Sequence, residues 1–280
     1  MTRIASLAPS VRSHFGSRPK LVVAVLATFN MTHPEVWLSW VRNAEASGLP
    51  FTFMIHSKDA RIQFQNKALR KYVLNESSDI HRTRWCKVAE AEYLIMNRAL
   101  DDPEVTHLAV VSSDSIPLKP LRHIHRELEK QPVTRMCMDW THNHRAETWF
   151  VMQRADIELF TEHLSFVDRH FRPKHLCEEE RMWMYPLVLR SWMWGQTQHP
   201  LLDDCVMWTD WGNQCQVWAS HVLMGDFGNV RRARHYPAVL AHPRTYLRLK
   251  ADGLRELQQS SFWWARKFAD RSISADSFTW

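Results

Sequence analysis

Leu21-Val22-Val23-Ala24-Val25-Leu26-Ala27 is an unbroken apolar run rich in branched side chains, and no other stretch limits the fold as tightly. Branched residues favour extended backbone, and a run with no polar face predicts a strand covered on both sides, as in a parallel sheet between helical layers. Extended through Phe29 it is still too short to span a bilayer. The run ends in polar Thr28 and Asn30.

Helical and extended patterns alternate after this run. Pro34 marks a first helical turn, and Val36, Trp37, Trp40, Val41 and Ala44 recur at helical spacing. A second short strand is expected at 51–56, with Ser57-Lys58-Asp59 at its carboxyl end. A helix is expected over 85–100, with Val88, Ala91, Leu94, Ile95 and Ala99 on its apolar side and Asp101-Asp102-Pro103 as its stop. A third strand, 107–112, runs into Ser113-Asp114-Ser115. Strand, helix, strand, helix, strand is the doubly wound α/β pattern, whose ligands sit beyond the carboxyl ends of the strands. The polar ends at Thr28, Ser57 and Ser112 therefore point to one crevice.

Beyond about residue 133 short strands are expected around Met136–Trp140 and Thr148–Met152, then helices over 154–163 and about 178–192. The tail over 252–270 reads as helical, closing on an aromatic run from Phe262. Residues 1–19 are polar and without period and read as a loosely ordered arm. The rest, 20–280, reads as one compact unit with a soft boundary near 130, dividing a nucleotide-binding half (20–130) from an acceptor half (131–280).

Lys and Arg exceed Asp and Glu by a net +6, a mild bias that suits an anionic ligand or an ordinary basic protein alike. Seven glycines leave little material for a Gly-rich phosphate loop, and 14 tryptophans exceed what core filling needs, so some are expected to line a cleft. Five cysteines without a Cys-x-x-Cys pair read as reduced, mostly buried thiols. No leader or membrane-anchor pattern is visible near Met1. His123, His125, His142 and His144 do not match the usual zinc spacings, and no Gly-x-Ser-x-Gly is present.

Asp114, just past a buried strand, can orient a sugar, hold a metal or cap the next turn. Asp-x-Asp, which many nucleotide-sugar transferases use to hold a divalent ion against a diphosphate, is absent. A concentration of Arg231, Arg232, Arg234, Arg244, Arg248, Lys250, Arg266 and Lys267 can neutralise an anion without a metal, or can simply be a solvated face. The flanking Phe262, Trp263, Trp264 and Phe268 favour anchored cations at Arg266 and Lys267. Glu178-Glu179-Glu180 stands at a helix start, where acids suit the dipole; one of them can instead serve a cleft as general base.

In this order the pieces resemble the Core-2/I-branching enzymes, glycosyltransferase family 14, together with its plant and microbial relatives. Trp85-Cys86-Lys87 through Leu100, His107 through Leu118, Thr148-Trp149-Phe150-Val151-Met152-Gln153-Arg154, Glu179-Glu180, Met207-Trp208-Thr209-Asp210-Trp211, His242-Pro243 and Phe262-Trp263-Trp264-Ala265-Arg266-Lys267-Phe268 are similar, collinearly, to that family's motifs. The resemblance implies a GT-A-like fold and an inverting transfer from UDP-N-acetylglucosamine or UDP-xylose to a glycan hydroxyl of an oligosaccharide or glycoprotein. It implies no metal cofactor: Lys267 and Arg244, with Arg266 beside them, would hold the diphosphate. Glu180 would be the base, with Glu179 the alternative. Thr28, His56, Ser57, Arg84 and Trp85 would bind uridine and ribose, Ser113 and Asp114 would face the donor, and Asp59 would stand where the family carries an Asp after its second strand. Trp149, Trp208, Asp210 and Trp211 would form an acceptor platform. The family's membrane anchor and disulfide set have no counterpart here, so a soluble, cytoplasmic enzyme of microbial or viral type is expected, with no nucleic-acid partner. A non-catalytic carbohydrate- or nucleic-acid-binding protein on a transferase-derived fold is the alternative, since basic and aromatic residues together also suit single strands.

Overall fold

The computed structural model of the chain describes residues 18–27, 30–58, 66–74, 83–84, 86–140, 145–172, 177–194, 200–210, 225–228, 243–270 and 272–280. Strand β1, Leu21–Ala27, is buried along its whole length. It pairs in parallel with β2, Phe51–Ser57, on one side and with β3, His107–Ser112, on the other. A two-residue β4, Ile116–Pro117, follows β3. The sheet continues through β6, Arg145–Gln153, antiparallel to β3, then β5, Thr134–Asp139, and β7, Leu201–Asp203. Its order is β2-β1-β3-β6-β5-β7, so one sheet runs straight through residue 130.

Alternation along β1 divides the core. Leu21, Val23 and Val25 face helix α1, Pro34–Ala46, and α3, Leu121–Lys130, through Trp37, Trp40, Val41, Ile124 and Leu128. Val22, Ala24 and Leu26 face α2, Ala89–Leu100, and α4, Arg154–Glu162, through Ile95, Met96, Ile157 and Phe160. Helical layers on both faces are what a strand without a polar face requires. Two of the buried indole N–H groups find carbonyl partners: Trp37 donates to the Ser115 carbonyl and Trp40 to that of Lys119, each at 2.8 Å. Much of the tryptophan is thus core.

A second, smaller sheet carries the C-terminal residues. Strand β11, Trp264–Arg266, lies between β4, to which it is antiparallel, and β8, Met207–Thr209, to which it is parallel. Helix α8, Ala251–Gln259, packs Leu254 and Leu257 into the cluster around this sheet. Two further strands, β9, Gly225–Gly228, and β10, Thr245–Leu249, pair antiparallel. Tyr246 of β10 joins the main-chain ladder beside β11, its N–H donating to the Lys267 carbonyl at 2.8 Å.

Four expectations are corrected. Helix α2 starts at Ala89 rather than 85, because Arg84 and Lys87 close a reverse turn in which Cys86 takes a left-handed φ of 60°. The helix expected over 178–192 is two, α6, Glu179–Met182, and α7, Met184–Trp194, after a helix α5 at Leu164–Phe171. Pro186 accounts for the break: it lacks the N–H that would bond the Met182 carbonyl, and its ring crowds that carbonyl. The tail helix ends at Gln259, where the Ser260 hydroxyl accepts the Phe262 N–H and turns the chain into strand β11. Finally, four cysteines are not free thiols: Cys86 pairs with Cys177 and Cys137 with Cys205. Separations of 91 and 68 residues are invisible to spacing rules and are set by the fold. Among the described residues no helix is long and apolar enough to cross a membrane.

Candidate active site

Because β1, β2 and β3 run parallel, their carboxyl ends share one edge of the sheet, and a cleft of about 390 Å³ opens there. Leu26 and Ala27 from β1, His56 from β2 with Lys58 just beyond it, and Ser112 from β3 with Ser113 and Asp114 just beyond it form its floor. Main-chain bonds lock these ends together, with the Ser113 N–H on the Leu26 carbonyl at 3.0 Å and the Lys58 N–H on that of Ala27 at 3.3 Å. His56 and Lys58 fall on one side of β2 by the period of a strand; Ser57, between them, is buried away from the cleft.

Asp114 is the hub of the floor. Its carboxylate accepts the Ser112 hydroxyl at 2.5 Å and meets Arg266 Nε at 3.1 Å and Lys267 Nζ at 3.3 Å. Burial alone would raise its pKa, but Arg266, Lys267 and the Ser112 hydroxyl outweigh it and bring the value to about 2. Arg266 also lies over the Trp149 ring at 4.7 Å, a cation–π contact that fixes the guanidinium from its other side. Strand β11 delivers Arg266 and, one residue beyond its end, Lys267, and the aromatic run before them supplies the buried anchors Trp263 and Trp264.

The facing wall is made by β6 and α6. Arg145, Glu147, Thr148 and Trp149 come from the strand, Glu179 and Glu180 from the helix. One Arg145 nitrogen donates to both Glu180 oxygens, at 2.8 and 3.1 Å. Burial raises the Glu180 pKa, with Arg145 opposing. Glu179 is placed differently: burial pushes its pKa up to about 7, helped by the charges of Glu180 and Glu178, and its Oε2 has no hydrogen-bond partner among the described residues. Behind it, fully buried Glu92 of α2 accepts the Trp183 indole N–H at 2.7 Å, and burial raises its pKa well above the carboxylate range. Glu178 is held by Lys87 at 2.9 Å and Arg172 at 3.2 Å. The Cys86–Cys177 disulfide, itself on the cleft wall, ties the turn carrying Arg84 to the chain entering α6.

The cleft therefore gathers His56, Arg84, Ser113, Asp114, Trp149, Glu179, Glu180, Arg266 and Lys267 from widely separated stretches. Trp208 and Asp210 do not form a platform on it. Trp208 is 3% exposed in the cluster with Tyr246, and Asp210, also 3% exposed, accepts the Tyr246 hydroxyl at 2.5 Å. Arg244 is turned to Asp210, its N–H on the Asp210 carbonyl at 2.7 Å and its Nη1 3.7 Å from Oδ2; its neighbour Pro243, not Arg244 itself, lines the cleft. Thr28, Asp59, Trp85, Trp211, His142 and His144 lie outside the described residues, as do Cys215, Arg231, Arg232 and Arg234. Of the histidines considered for a metal, His125 is buried in α3 against the Pro50 carbonyl. Among the described residues no group of three or more His, Cys, Asp or Glu is placed to hold a metal ion.

Lys58, Arg145 and Glu147 were not anticipated. The signal for the last two was present: 145, 147 and 149 share one face of a strand, but starting that strand at Thr148 left them out.

No protein-family model matches the chain, and no curated protein does. Among solved structures, the chain is similar to a glycosyltransferase involved in the glycosylation of the major capsid of PBCV-1, with 9% identity and a TM-score of 0.38. That similarity covers 66% of this chain and 83% of the other. The chemistry of the cleft has to be read from its own residues, and the resemblance to the Core-2/I-branching enzymes rests on the collinear sequence motifs alone.

Proposed function

We propose that the chain is an inverting glycosyltransferase that moves a sugar, xylose or N-acetylglucosamine, from a UDP-sugar to a glycan hydroxyl without a metal ion. One observation carries the reading: a carboxylate pair, Glu179 and Glu180, shares one cleft with two anchored cations, Arg266 and Lys267, at the carboxyl edge of parallel strands. Displacement at an anomeric carbon needs these two things, a base for the incoming hydroxyl and positive charge for the leaving diphosphate.

In this reading the acceptor oxygen forms a bond to C1 as the bond from C1 to the diphosphate oxygen breaks, with inversion. Glu180 takes the hydroxyl proton, and UDP leaves with the electron pair. Arg266 and Lys267 meet the charge that develops on the diphosphate, Arg266 as a planar fork and Lys267 as a point charge. His56 and Arg84 lie on the strand-end side suited to the nucleoside, and Asp114 can accept a donor-sugar hydroxyl while holding the cations. Trp149 offers an aromatic face to a sugar.

Turnover of UDP-sugars tests this directly. Glu180→Gln is expected to lower kcat by about 10²–10⁴-fold while UDP binding is retained. A Glu180→Gln enzyme with near wild-type kcat would place the base elsewhere, Glu179 first. Activity should persist in EDTA; loss that Mg²⁺ or Mn²⁺ restores would overturn the metal-free step.

A further inference from the structure

Glu180 sits in a crowd of carboxyl groups. Glu178 caps α6 and Glu179 opens it, and Glu92 faces the same turn from α2. Crowded, buried carboxyls shed charge by taking up protons unless a cation opposes them. Lys87 and Arg172 both reach Glu178. Arg181 acts on Glu180 from its own helix. Arg145 comes from the facing strand, places one nitrogen on both Glu180 oxygens, and shares the cleft wall with it; the two side chains are 21% and 13% exposed. An ion pair of that burial is little screened by solvent, unlike a surface pair.

We infer that Arg145 is a positioning residue for the transfer reaction, keeping the Glu180 carboxylate ionised and aimed into the cleft so that it can receive the acceptor's proton. This rests on the reading of Glu180 as base. In that reading the donor's diphosphate is assigned to Arg266 and Lys267, bound to Asp114 on the cleft floor, whereas Arg145 is paired with the carboxylate. Arg145 therefore governs the proton, and its loss is expected in kcat and its pH dependence more than in the donor KM.

The test is the pH–rate profile of the full chain carrying Arg145→Gln or Arg145→Lys. In Arg145→Gln the acidic limb should move up by about 1–3 pH units, the effect of removing an adjacent opposite charge, with donor KM within about twofold. Arg145→Lys keeps the charge but exchanges the rigid planar guanidinium for a flexible point charge that aims the carboxylate less firmly, so its limb should stay near the wild-type position while kcat falls. An unmoved limb in an active Arg145→Gln enzyme, or an equal shift in both variants, overturns the inference and leaves the proposed function standing. A wild-type chain without turnover overturns both. If Arg145→Gln does not fold, the lysine variant decides: a limb near the wild-type position with reduced kcat supports the role, and a profile and kcat identical to wild type overturn it.

Discussion

Glu179 and Glu180 are adjacent in the chain and differ in almost everything around them. Glu180 has a guanidinium against both oxygens, whereas Glu179 is buried with one oxygen unpartnered among the described residues. A carboxyl whose folded pKa lies above its unfolded value costs nothing at low pH, where both states are protonated. The cost appears as pH rises through the unfolded value of 4.5, because the unfolded chain gains by ionising, and it is complete above about 7. Over that interval it amounts to roughly 3 kcal/mol. Glu179→Gln should therefore raise the melting temperature at pH 8 and leave it nearly unchanged at pH 4. Melts of both proteins across pH 4–8 check this; a difference that does not grow with pH contradicts the burial of an ionisable Glu179. Such a cost, carried at a cleft, is what a functional carboxyl commonly imposes on a fold.

Among the elements, those most legible in the sequence were the ones with a single possible environment. The apolar runs of β1 and β3 admitted only a two-sided burial, and their polar ends marked the floor of the cleft, Asp114 included. Reading failed where one pattern served two structures. The periodicity after Glu178 suggested one helix although Pro186 had to divide it, and the aromatic run at Phe262 carried no alternation to separate strand from helix. Trp208 and Asp210 lie in a stretch whose composition suits a sugar platform, yet nothing in composition says which way a short strand faces. Arg145 escaped because its partner is 35 residues away and the fold brings the two together. The element that positions the cations depends on β10: the Tyr246 N–H holds the Lys267 carbonyl, and the Ala269 N–H returns to the Tyr246 carbonyl, both at 2.8 Å. Tyr246→Phe removes the hydroxyl that Asp210 accepts at 2.5 Å and leaves a buried carboxylate short of a donor. A loss of about 1–3 kcal/mol is expected in urea melts, while the main-chain bonds to Lys267 are kept; unchanged stability would show that Asp210 is satisfied without the hydroxyl.

At the scale of the molecule, two disulfides among the described residues link stretches far apart in sequence, one of them, Cys137–Cys205, beside the pairing of β5 with β7. Cys137–Cys205 ties β5 to the residues before β8, and Cys86–Cys177 ties the turn before α2 to α6. Closing loops of this length restricts the unfolded chain by up to about 4–5 kcal/mol per bond in the chain-entropy picture. Unfolding by urea should therefore shift to lower denaturant in the presence of a thiol reductant, and the paired substitution Cys86→Ser with Cys177→Ser should reproduce part of the shift without reductant. A midpoint indifferent to both would show that the bonds do not form in solution. Their presence suits an oxidising compartment, so the expectation of a cytoplasmic protein draws no support from the cysteines.

Asp114 gives the cleft a further property. By lying between Arg266 and Lys267 it serves as a built-in counter-ion, and in the unliganded chain these two cations have little need of anions from solution. In the proposed reaction an incoming phosphate group would exchange with a tethered carboxylate rather than displace dissolved salt. Its affinity then responds to ionic strength less steeply than a count of nearby positive charges would suggest.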